Sequence, residues 1–128
     1  EVSQVNELLQ QMERFDGIFI CATNLFDQID AAALRRFAFK IAFKALRPQQ
    51  RMKLFVQEAL DGVEGKLDLA LQNRLLQLDN LVPGDFAVVK RQAALLGDVL
   101  PPSDFLAELE NECRLKPGAN KQSMGFLH

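Results

Sequence analysis

The sequence is poor in the residues on which most chemistry depends. It has a single histidine, His128, at the C-terminal end, and a lone imidazole with no group to orient it is no catalytic candidate. Two cysteines, Cys21 in an apolar run and Cys113 in a late helical stretch, lack both metal-ligand spacing and the density of a disulfide-held secreted domain. Both are expected to be buried, reduced thiols. Charge of one sign is missing as well: 15 basic against 17 acidic residues leave a net charge of −2, which provides no field to draw the molecule to nucleic acid or an anionic membrane. No apolar stretch reaches the roughly 18 residues of a membrane span. No positively charged leader precedes a signal-like core, so the cytoplasm is the default location.

What is present suits a folded protein. Hydrophobic residues make up 48% and charged residues 25% of 128 residues, enough for one ordinary domain or parts of two small ones. The sequence opens on Glu1 rather than on methionine, as expected of an excised piece of a longer protein. Residues 3–15 place Val5, Leu8, Leu9 and Met12 on one helical face, with Ser3 as the expected cap. Asp16-Gly17 then turns the chain.

From Pro48 onward the pattern is helical throughout. Met52, Phe55, Val56, Ala59, Leu60 and Val63 form the stripe of a first amphipathic helix with Pro48 at its first position. Leu67, Leu71, Leu75 and Leu78, widened by Leu69 and Leu76, form a second over residues 66–79. Pro83-Gly84-Asp85 starts a third, with Phe86, Val89, Ala93 and Leu96 inward and Gly97 as its stop. A fourth follows Pro101-Pro102, with Ser103 as the expected cap and Leu106, Leu109 and Cys113 inward. Four such helices joined by short turns bury their stripes against one another. In the tail, Met124, Phe126 and Leu127 are positioned to dock onto them.

The stretch 17–41, G-I-F-I-C-A-T-N-L-F-D-Q-I-D-A-A-A-L-R-R-F-A-F-K-I, has a different character. Residues 18–22 form an apolar run suited to a strand covered on both faces. Thr23-Asn24 follow at its carboxyl end, where open α/β sheets place ligand-contacting groups. A short Ala-rich helix then ends in Arg35-Arg36 before a second apolar run, 37–43. Together, A-T-N, D-x-x-D-A-A-A-L and R-R-F resemble the second region of homology of the AAA family of P-loop ATPases, and V-N-E-L-L-Q-Q-M-E-R-F-D-G resembles the helix that precedes its sensor 1 strand.

The resemblance implies a mainly α fold. A four-helix lid bundle over residues 47–128 would follow, over 1–46, the last helix-strand-helix-strand of a truncated α/β AAA nucleotide-binding domain. It implies that Asn24 is sensor 1, a carboxamide that holds the attacking water against the γ-phosphate. Arg36, supported by Arg35, corresponds to the arginine finger that reaches the γ-phosphate of the neighbouring subunit; adjacent side chains on a helix lie about 100° apart, so the two should diverge. Lys90 and Arg91 fall where many relatives carry the sensor 2 cation of the lid. The parent is expected to bind ATP and Mg²⁺ and to form a homo-oligomeric ring. Neither G-x-x-x-x-G-K-[ST] nor an apolar strand ending in Asp-Glu occurs in these 128 residues, so the chain itself is expected to bind no nucleotide and to be inactive. The alternative is a non-catalytic AAA-like structural or interaction module. If the two apolar runs lack their central partner strand, they must pair with each other, pair with another copy of the chain or stay irregular, and a non-native dimer through them is the expectation.

Overall fold

A strand exists only where its backbone groups find a neighbour to bond, whereas a helix satisfies its own. That difference separates the two halves of this chain. The computed structural model describes residues 2–118, and these fall into two compact units that part between Ala42 and Phe43. Met124, Phe126 and Leu127 lie outside the described residues.

In the first unit, helix α1 spans Val2–Gln11 and tightens into a 3-10 turn at Met12–Arg14. Ser3 lies inside this helix rather than at its cap. Leu9 is buried and Leu8 half exposed, so the inward face is narrower than the apolar pattern. Helix α2, Ala31–Leu34, is a single turn. Asp30 caps it by accepting from the Ala32 N–H at 3.2 Å, and its own N–H donates to Asn6 Oδ1 of α1 at 3.2 Å. Ala33, small enough to allow close approach, is buried where α1 and α2 meet.

The two expected strands do not form. Among the described residues there is no strand, and residues 16–24 neither give nor receive a backbone hydrogen bond. Without ladder partners the runs 18–22 and 37–43 stay irregular. They meet through one aromatic contact, Phe19 against Phe37 with ring centroids 6.5 Å apart. Ile18, Ile20, Phe39 and Ile41 are largely exposed, and Cys21, expected inside, is exposed too.

In the second unit the helical reading holds. Helices α3 (Pro48–Ala59), α4 (Leu69–Leu76), α5 (Pro83–Leu96) and α6 (Pro102–Arg114) share one core. Proline stands at the first position of α3, α5 and α6, where its missing N–H costs nothing. Gly97 ends α5 in the left-handed region at φ +70°. Phe55, Leu75, Leu81, Val89, Leu106 and Leu109 are fully buried. Phe105 packs edge-on against Phe55 at 6.0 Å and lies 6.1 Å from Phe86.

Several expected inward positions face out. Leu69 and Leu76 are exposed because α4 has only two turns, and both point round the helix from the Leu71–Leu75 line. Leu96 shares the face of Val89 but lies in the last turn of α5, where it is uncovered, and Val63 lies past the end of α3. Ser103 is not a cap: Pro102 opens α6, leaving Pro101 in the cap position and Ser103 within the first turn.

A buried arginine fastens the second unit. Arg51 on α3 is 5% exposed. Its Nε donates to the Leu46 carbonyl at 2.9 Å, and its Nη1 donates to the carbonyls of Leu75 and Leu76 at 3.1 Å each. The latter two belong to the last turn of α4, whose carbonyls have no partner within the helix and whose dipole favours a cation.

Candidate functional site

Thr23, Asn24, Arg35 and Arg36 lie in the first unit. Thr23 Oγ1 accepts from the Leu25 N–H at 2.9 Å, a local turn that ends the extended run and leaves Asn24 exposed at the bend. Arg35 is the C-terminal cap of α2; its N–H bonds back to the Ala31 carbonyl at 3.3 Å, and its side chain is exposed.

Arg36 is held. Its Nε pairs with Glu13 Oε1 at 2.9 Å, and its Nη1 donates to the Leu9 carbonyl at 3.5 Å. A depression of about 290 Å³ is lined by Leu9, Met12, Glu13 and Arg36. A guanidinium has five N–H donors; Glu13 and Leu9 take two, so the rest of the fork remains for an anion. Glu13 is a residue that sequence reasoning passed over. The signal was available: it stands four residues after Leu9, so it shares the helical face that looks toward α2.

In the second unit, Lys90 on α5 pairs with Glu58 on α3 at 2.5 Å. Arg91, the next residue, is exposed and makes no ion pair among the described residues. Asp85, 6% exposed, serves the start of its helix: Oδ2 accepts from the Val82 N–H at 2.9 Å and pairs with Lys116 at 2.6 Å. Lys116 also donates to the Asn80 carbonyl at 2.5 Å, and Asn80 Nδ2 donates to the Cys113 carbonyl at 3.1 Å. Burial pushes the Cys113 thiol up to about 11, against a smaller opposing pull from Lys116. A thiol held neutral in this way is inert as a nucleophile.

The geometry therefore offers exposed donors without a formed catalytic cluster. Among the described residues no group of three His, Cys, Asp or Glu side chains is arranged to hold a metal. No described helix is long and apolar enough to cross a membrane.

Residues 1–45 match the family model described as ATPase family associated with various cellular activities (AAA). The match takes in both A-T-N and R-R-F and relates this part of the chain to AAA-type ATPases. No curated protein and no solved structure matches the chain.

Proposed function

We propose that this chain supplies part of the machinery of an AAA-type ATPase whose ATP hydrolysis drives remodelling of a macromolecule. The observation that carries the reading is the family match over residues 1–45, which takes in Asn24 and both arginines. Asn24, exposed at a bend, is the sensor 1 carboxamide. Arg36 is the finger, delivered to the γ-phosphate of a neighbouring subunit in a homo-oligomeric ring, with Arg35 in support. The second unit, mainly helical with one core, is the lid. Of the two candidate cations there, Arg91 is the better sensor 2, because Lys90 is engaged by Glu58 at 2.5 Å. ATP and Mg²⁺ supply the transferable phosphoryl group and the charge that steadies it. The residues of this chain offer donors to phosphate, while the phosphate loop and metal-holding carboxylates belong to sequence preceding Glu1.

Reading the coding sequence upstream of Glu1 is the first test: a phosphate loop and an Asp-Glu strand within about one domain length are expected, and their absence refutes the ATPase. In that longer polypeptide Arg36→Ala abolishes turnover and leaves nucleotide affinity nearly unchanged; unaltered ATPase activity removes Arg36 from the finger role. Titrating ATP into the 128-residue chain should give no binding isotherm, and micromolar affinity would contradict the placement of the main site upstream.

The Arg36–Glu13 pair at 2.9 Å favours a second reading, a non-catalytic AAA-like interaction module in which Arg36 is structural. In that case Arg36→Ala lowers the stability of the first unit and changes no activity.

A further inference from the structure

The Arg36 side chain is held at both ends. At its base, Arg36 follows the α2 cap and its N–H donates to the Ala33 carbonyl at 3.2 Å, while α2 is tied to α1 by the Asp30 N–H on Asn6 Oδ1 and by the buried Ala33. At its tip, Glu13 Oε1 takes Nε at 2.9 Å and the Leu9 carbonyl takes Nη1 at 3.5 Å. Leu9 and Met12 line the depression beside it and give the stem apolar surface to lie on. Nη2 has no partner among the described residues.

An arginine arm has several rotatable bonds, and a cation that must meet developing charge loses rate when it is free to sample other rotamers. An acceptor at Nε fixes the plane of the fork while sparing Nη2 and the second hydrogen of Nη1, which suit two phosphate oxygens. The Glu13 side chain is 58% exposed, so water screens its charge and it holds the fork at small electrostatic cost to an incoming anion. We propose that Glu13 is the positioning residue of Arg36, setting within one subunit the guanidinium which that subunit presents to the γ-phosphate of its neighbour. This rests on the reading of Arg36 as the finger and adds the group that aims it.

Steady-state ATP hydrolysis by the longer polypeptide, with kcat and KM measured per isolated ring, tests this. Glu13→Ala should lower kcat about three- to fivefold, the upper range over which a partly exposed pair shifts a population, and leave KM for ATP within about twofold. Glu13→Gln, whose carbonyl still accepts from Nε, should recover at least about half of the lost rate. Glu7→Ala removes an exposed carboxylate of α1 that makes no ion pair among the described residues and should leave kcat within about 1.5-fold of wild type. A purely structural role for Glu13 would lower the yield of rings and not the kcat of each, with no rescue by glutamine. An unchanged kcat in Glu13→Ala, a raised one, or a loss shared equally by Glu13→Gln or Glu7→Ala would overturn the positioning role, and an inactive Arg36→Ala beside it would keep the finger. Unaltered turnover in Arg36→Ala would remove the finger and this inference together.

Discussion

Replacing Arg51 by methionine keeps most of the side chain's apolar stem and removes its guanidinium, which isolates the role of the three carbonyls it serves. The Leu75 carbonyl is buried at its contact with Arg51, while those of Leu76 and Leu46 are partly so. The Leu75 carbonyl keeps the Leu78 N–H at 3.1 Å, so it loses one of two partners, worth about 1 kcal/mol. The two that water can reach lose about 0.5 kcal/mol each, and loss of the cation at the end of α4 adds a similar amount. Relief from holding a charge at 5% exposure offsets part of this, leaving a net destabilisation of about 1–2 kcal/mol. For a unit of this size that lowers the melting temperature by roughly 5–15 °C. The chain has no tryptophan and no tyrosine, so the assay is urea unfolding followed by far-UV circular dichroism, which reports α3 to α6. Arg51→Lys serves as the control: one ammonium retains the charge but cannot span carbonyls presented from α4 and from the segment before α3, so it recovers about half of the loss. A change below about 0.5 kcal/mol in Arg51→Met, the range of an ordinary surface substitution, would refute the claim that this arginine fastens α4 to α3.

Two further predictions concern the second unit. Because the folded state holds the Cys113 proton up to about pH 11, against 9.0 for an ordinary thiol, the thiol's stabilising contribution is intact below about pH 9. It is lost as pH rises toward 11. The loss is worth roughly 2 kcal/mol, and comparing unfolding free energies at several alkaline pH values should show Cys113→Ala flatter than wild type by that amount. At Gly97, φ is +70° and an added Cβ meets nothing within 4 Å. Gly97→Ala therefore costs about 1 kcal/mol from backbone conformation alone, read as a lower urea midpoint with unchanged slope; a neutral result would mean that α5 ends in some other way.

The helices of the second unit were legible because a helix is a local object. Apolar spacing marked their inward lines, and Pro48, Pro83, Pro102 and Gly97 marked their ends. The first unit was less so. Residues 18–22 have the composition of a covered strand, yet composition cannot supply the neighbour that a strand requires, and Cys21 followed its run into the open. Arg51 could not be found by pattern either: it precedes Met52 on the border of an apolar stripe, and its reason for burial, the carbonyls of Leu75 and Leu76, lies 24 and 25 residues further on. Glu13 differed in kind. Its spacing from Leu9 was visible, but nothing in sequence said that Arg36 would return to it.

The meeting of three phenylalanines bears on how the second unit acquires its structure. The helix pairs α3 with α4 and α5 with α6 are each neighbours along the chain, so their loops close at small entropic cost and the unit should fold on the microsecond to millisecond scale of low-contact-order proteins. Phe105 is among the groups that cross between the hairpins, with the contacts of α4 and α6, since it meets Phe86 within its own hairpin and Phe55 from the other. The Phe86 contact can form while the two hairpins are still apart; the Phe55 contact cannot. Truncating Phe55 should therefore leave early hairpin formation intact and slow the docking step, which makes that single edge-to-face contact a clock for the order of assembly.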